Sequence, residues 1–239
     1  MRVIGYLTSG YPSLEGCVKG ADAYIEGGCD MLEISVPLIN NREAPYLSDL
    51  MKEAVKKYPD LEQHLESIGK IAGKHPDIQI TLLLYQEVIL RIGAVKLAGF
   101  CAAHGIQDIN SPDLTDSDAI RILKEQGIRL AGLILYEHDE KRLEEAKKTD
   151  GFLYCQAFPR EGQNILKGCE TPEKLIACIR SQGIGNPIYC GGGIRMPEDG
   201  VRLKKAGADG FFLGTSILTI MDDTEKVVET VRAFKEAVG

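Results

Sequence analysis

Short apolar runs rich in β-branched residues recur between longer, charged, amphipathic segments from one end of the chain to the other. The runs are Val3–Thr8, Met31–Ser35, Gln79–Leu84, Gly105–Ile109, Leu130–Leu135, Gly151–Cys155, Pro187–Cys190 and Gly210–Leu213. The helix-patterned segments are Leu14–Gly27, Tyr46–Lys57 with Leu61–Lys74, Glu87–His104, Ser117–Gln126, Glu140–Lys148, Pro172–Gln182, Glu198–Ala206 and Asp223–Ala237. A run such as Thr81-Leu82-Leu83-Leu84 is continuous rather than alternating, as expected of a parallel strand covered on both faces. Eight strand–helix pairs with no hairpin signal predict an α/β fold, a closed (βα)8 or TIM barrel rather than an open sheet. Four helix-to-strand turns, around Gly28, Gly105, Gln126-Gly127 and Gly207, carry the glycine that lets a helix end tightly. They are read as structural features of the lower face.

No Pro/Ser-rich linker divides the 239 residues, a length that barrels of this kind reach as one domain, so residues 1–239 are expected to form a single domain. A hydrophobic share of 44% can build a sizeable core, and a net charge of -7 gives no basic field for nucleic acid. The seven cysteines form no Cys-x-x-Cys pair and read as reduced, buried thiols of a cytoplasmic protein. No apolar run approaches the ~18 residues of a membrane span, and the N-terminus enters a strand pattern directly. His64, His75, His104 and His138 lack metal-ligand spacing, so no metal is expected. No Gly-x-Ser-x-Gly or Walker pattern supports hydrolase or P-loop chemistry.

The sharpest chemical signal lies in Ile188-Tyr189-Cys190-Gly191-Gly192-Gly193-Ile194-Arg195 and Phe211-Phe212-Leu213-Gly214-Thr215-Ser216. Each is an apolar strand ending in glycine where a helix begins, so backbone N–H groups can approach an anion with no Cβ in the way. Loops after the seventh and eighth strands are the usual phosphate site of such barrels. A second signal is Glu33, between Leu32 and Ile34. Burying an ionised carboxylate is costly without a partner or a role. Glu33 therefore reads either as a structural ion-pair member or as a general acid/base whose pKa its apolar surroundings raise.

Tyr6-Leu7-Thr8-Ser9-Gly10-Tyr11-Pro12-Ser13 and Leu32-Glu33-Ile34-Ser35-Val36-Pro37 resemble the first strand and the signature strand of the tryptophan synthase α subunit family. The resemblance continues in order through Leu83-Leu84-Tyr85, Pro112-Asp113-Leu114, Gly151-Phe152-Leu153-Tyr154, Gly191–Arg195 and Gly214-Thr215-Ser216. It implies a lyase of tryptophan biosynthesis that cleaves indole-3-glycerol phosphate to indole and glyceraldehyde 3-phosphate without metal or organic cofactor. It makes Glu33 the catalytic acid/base, with Tyr154 beside it, and Tyr6, Leu83 and Tyr154 the walls of the indole pocket. Gly162, Gly191, Gly192, Gly193, Gly214 and Thr215 fall on the phosphate side, and Asp113 on an aspartate that organises an active-site loop, though as a bare residue it equally reads as a helix cap.

Three departures accompany the match. The loop Leu38-Ile39-Asn40-Asn41-Arg42-Glu43-Ala44-Pro45 holds no aspartate where the family keeps its second carboxylate; with one residue deleted, Glu43 takes that place. The loop Gln156-Ala157-Phe158-Pro159-Arg160-Glu161-Gly162-Gln163, which in the family closes over substrate, carries Glu161 in place of a threonine. The family's helix before the first strand has no counterpart, since the chain begins almost at the strand. Any contact with a tryptophan synthase β subunit is therefore expected to be weakened. The altered loops also admit another phosphate-ester enzyme on this scaffold, an isomerase or aldolase, or a non-catalytic phosphometabolite-binding paralogue. No strand lysine is present for a Schiff-base aldolase.

Overall fold

The computed structural model describes residues 1–41, 45–137 and 140–239. All strand pairs are parallel, in the order β5-β4-β3-β2-β1-β9-β8-β7-β6. The strands are β1 (Arg2–Thr8), β2 (Met31–Ser35), β3 (Gln79–Leu83), β4 (Asp108–Asn110), β5 (Arg129–Leu130), β6 (Gly132–Ile134), β7 (Leu153–Gln156), β8 (Ile188–Gly191) and β9 (Gly210–Leu213). The two edges of this sheet, β5 and β6, are consecutive pieces of one segment interrupted only at Ala131. The first half pairs with β4 and the second with β7. One chain segment thus bridges both edges, and a nearly closed (βα)8 barrel results, as the repeat pattern predicts.

The helices are α1 (Leu14–Glu26), α2 (Pro45–Lys57), α3 (Leu61–Lys74), α4 (Gln86–Ile92), α5 (Ala94–Ala103), α6 (Ser117–Glu125), α7 (Glu140–Lys147), α8 (Pro172–Ser181), α9 (Pro197–Ala206), α10 (Thr215–Leu218) and α11 (Thr224–Val238). The segment expected as one helix, Glu87–His104, is two, because Gly93 adopts φ 87° and breaks the ladder between α4 and α5. The run Gly105–Ile109 becomes a strand only from Asp108 onward; Ile106 N–H still bonds back to the Cys101 carbonyl at 2.9 Å, so the helix-to-strand turn consumes its first residues. Leu130–Leu135 is correct in place but divided at Ala131. The helix start expected after Gly214 is the short α10.

Register alternation decides what faces the lumen. On β1 and β2, Ile4 pairs with Met31, Tyr6 with Glu33 and Thr8 with Ser35. Ile4, Met31, Phe152, Tyr189 and Phe212 form a separate apolar cluster inside the barrel, while the larger core lies between strands and helices. Gly5 leaves room for α1: a Cβ there would lie 2.5 Å from the Tyr24 ring. That ring brings its hydroxyl to the Tyr6 and Leu213 carbonyls, at 3.1 and 2.8 Å, tying the first strand to the last.

The lower, N-terminal face uses one device three times. Asp30 and Asp209, each just before a strand, accept backbone N–H bonds from Val3 and Ile188 on neighbouring strands at 2.7 and 2.8 Å, and Asp150, in the turn before β7, accepts from Leu130 on β5 at 2.9 Å. The glycines of these and similar turns, such as Gly28 and Gly207, both at φ 94°, supply the conformation that a helix needs to turn back into a strand. The strands therefore enter the barrel in fixed register. Among the described residues no helix is long and apolar enough to cross a membrane.

Candidate active site

Glu33 sits in the middle of β2 and is 3% exposed. Its Oε1 accepts a hydrogen bond of 2.9 Å from the Asn110 amide on β4, across the intervening β3. Asn110 is thus one partner of the buried carboxylate, and an uncharged one. Sequence reasoning missed Asn110. Nothing local marks an asparagine at the end of a three-residue strand, and the pairing spans 77 positions.

Tyr6, beside Glu33 in register, places its hydroxyl 3.0 Å from Ser35 Oγ and 3.2 Å from Thr8 Oγ1. It is buried, and so is Leu83, the register partner of Ser35 on one side and Asn110 on the other. Tyr154 on β7 stacks on Phe212 with ring centroids 5.3 Å apart. Tyr154 packs against the inner apolar cluster, whereas Tyr6 and Leu83 belong to the larger one.

On the same strand ends, Gly191 closes β8, and Gly192 and Gly193 follow it with φ 89° and 83°. Gly214 follows β9 and is the N-cap of α10, which Thr215 begins. Gly192, Gly193 and Thr215 are exposed. The loop after β7 leans on this edge, with the Phe158 ring 3.6 Å from where a Gly193 Cβ would stand. Gln156 and Gln163 hold that loop by two reciprocal amide bonds of 2.9 Å, and Gln163 Oε1 also accepts from Arg160 N–H at 3.0 Å. Gly162, at φ 73° and exposed, lies at the turn the pair encloses.

The tryptophan synthase alpha chain family model matches residues 1–238. The chain belongs to that family. Among its relatives are tryptophan synthase alpha chains of Syntrophomonas wolfei, 25% identical over 228 residues covering 94% of this chain and 86% of that protein, and of Caldicellulosiruptor saccharolyticus, 26% identical over 240 residues covering 96% and 92%. The same fold is seen in tryptophan synthase from Mycobacterium tuberculosis, with TM-score 0.85 at 20% identity over 100% of this chain and 93% of that one. The tryptophan synthase complex from Pyrococcus furiosus has TM-score 0.85 at 22% identity, covering 98% of each chain. Members of the family are carbon–carbon lyases that cleave indole-3-glycerol phosphate in tryptophan biosynthesis, and this chain is an α-type lyase by that membership.

Within this tryptophan synthase α-type barrel, Asp113 has a defined structural task. Its Oδ1 accepts the N–H of Gln86, the first residue of α4, at 2.9 Å, while the Gln86 side-chain oxygen accepts from Thr115 and Asp116 N–H at 2.7 and 2.9 Å. The loops after β3 and β4 are thereby locked together; the cap of α6 itself is Asp116. Gly191 is buried rather than open to ligand, and its missing side chain makes room for Tyr154. Glu43 and His138 lie outside the described residues.

All seven cysteines of this α-type chain are free, and every one but Cys178 is buried. Burial pushes the thiols of Cys17, Cys29 and Cys101 up to about 12. They remain protonated and inert at neutral pH. Among the described residues no group of three or more His, Cys, Asp and Glu side chains is placed to hold a metal ion. A cavity of about 610 Å³ on the opposite, N-terminal face includes Arg2, Asp30, Lys204 and Lys235. Its lysines are already engaged, Lys235 by Asp30 at 2.6 Å and Lys204 by the Val238 carbonyl at 2.7 Å.

Proposed function

We propose that this chain carries out the family's retro-aldol cleavage with Glu33 as its acid/base. The observation that supports this most is a buried carboxylate on β2 that accepts from an uncharged amide, within the same barrel in which exposed Gly192 and Gly193 follow β8 and exposed Thr215 opens the helix after β9. Glu33 takes the proton of the glycerol hydroxyl beside the scissile bond, indole C3 gains a proton, and the electrons of the broken carbon–carbon bond restore the aromatic ring. Indole and glyceraldehyde 3-phosphate leave with atoms balanced. Tyr6, Leu83 and Tyr154 line the ring slot, and Tyr154 stands beside the acid/base.

Gly162, Gly192, Gly193, Gly214 and Thr215 receive the phosphate, through backbone N–H groups and the Thr215 hydroxyl. Gly191 serves the same edge by making room for Tyr154. Glu43 supplies the second carboxylate, which attracts the indole N–H, and Asp113 keeps the neighbouring loop in place. The partner this reading implies is a tryptophan synthase β chain that receives the indole, in the cytoplasm. Because Asn40-Asn41-Arg42 replaces the family's contact loop, that complex is weaker than usual. The test is indole release from indole-3-glycerol phosphate by the purified chain, with and without a β chain. No indole under either condition overturns the lyase reading, and a stable αβ complex at nanomolar concentration overturns the weak contact.

A further inference from the structure

The Glu33 carboxylate is an acceptor only, and the NH₂ of an asparagine amide is a donor only, so the 2.9 Å contact between them suits the ionised acid as it stands. When Glu33 is protonated, the contact weakens unless the amide turns. Asn110 is 6% exposed and reaches over β3, with Leu83 as its register partner. We propose that Asn110 is a positioning residue of the lyase reaction: it aims the Glu33 carboxylate into the lumen and favours its proton-accepting form. This rests on the assignment of Glu33 as the acid/base.

Other polar groups at this level carry contacts of their own. In register with Glu33 are Tyr6 on β1 and Thr81 on β3, with Asp108 on β4 beyond Thr81. The Tyr6 hydroxyl bonds to Ser35 and Thr8, and Asp108 is engaged by Arg129 at 2.6 and 2.9 Å and by Gln79 at 3.0 Å. Just before β2, Asp30 is held by Lys235 at the lower face. Tyr154 stacks on Phe212 with ring centroids 5.3 Å apart.

Two variants test the proposal in the intact chain. Asn110→Leu removes the donor while keeping the branched outline, and Asn110→Asp keeps the shape but sets a second carboxylate against the first. The readouts are the pH profile of kcat for indole release and the ¹³C titration of the Glu33 side-chain carboxyl. In Asn110→Leu the acid limb of kcat and the carboxyl titration should both move to higher pH by about one unit, the share of one hydrogen bond to a carboxylate. Asn110→Asp should move them further in the same direction, and it reads the effect even if the leucine variant fails to fold. A uniform fall in kcat with both titrations unmoved, the mark of a merely structural role, would overturn the proposal. Glu33→Gln run alongside separates the two ideas. Full activity in that variant overturns the assignment of Glu33, whereas an inactive Glu33→Gln with an unmoved carboxyl titration in the Asn110 variants overturns the role of Asn110 alone.

Discussion

The Tyr154 hydroxyl on β7 occupies the space that a side chain at Gly191 on β8 would need, since a Cβ there would fall 2.2 Å from that oxygen. The two strands are adjacent and in parallel register, so the ring has no way to yield except by turning from its stack on Phe212. Gly191→Ala should cost about 1–3 kcal/mol of stability from overpacking. It should also lower the turnover of indole release by up to ~100-fold as the ring is displaced. Chemical denaturation and steady-state kinetics measure the two effects separately. Unchanged turnover in a folded variant would remove Tyr154 from the reaction.

Glu33→Gln keeps the volume and the contact with Asn110 but cannot shuttle a proton. Indole release should fall at least ~100-fold, with the affinity for a phosphate ligand scarcely changed. Glu43→Asp should leave activity equal or higher, and Glu43→Ala should lower it, because the charge developing at the indole N–H loses its partner. A silent Glu43→Ala means that the second carboxylate lies elsewhere.

Gly193 holds φ 83°, and the nearest atom to an added Cβ is 3.6 Å away on Phe158, so what alanine would disturb is backbone conformation rather than space. A strain of roughly 1–2 kcal/mol at such an angle should reappear as about a 10-fold rise in KM, with kcat little altered. Competition by inorganic phosphate should weaken in parallel. If neither moves in Gly193→Ala, the phosphate is bound by other groups.

His64 on α3 pins the end of β1: its Nδ1 lies 3.0 Å from Ser9 Oγ and its Nε2 2.9 Å from the Tyr58 carbonyl. Burial pushes its pKa below the ordinary value. The unfolded chain then binds the proton more readily, so the stability from neutral His64 is fully present above the unfolded value near ~6.5 and is lost as pH falls through the lower folded one. The urea midpoint should therefore drop on acidification from pH 7.5, and less steeply in His64→Ala. That variant should itself lose about 1–3 kcal/mol, because the Ser9 hydroxyl is left without its partner. An equal pH dependence in both proteins would exclude His64 as the cause.

The sequence by itself determined the eightfold repeat, most element boundaries and the glycine-ended strands β8 and β9, because hydrophobic period, helix caps and turn glycines are each settled within a few neighbouring residues. It also singled out Glu33, since a carboxylate inside an apolar run stands out wherever the strand is placed. Only the tertiary structure decided which side chains meet. The Asn110 amide reaches Glu33 from 77 residues away, and Tyr154 depends on an empty Cβ position on the next strand. Gln156 and Gln163 pair to hold the loop, and the segment that bridges the sheet edges breaks at Ala131 to face two neighbours. Each of these follows from the register between strands and from the curvature that brings both edges of the sheet to one segment, and no local propensity encodes either.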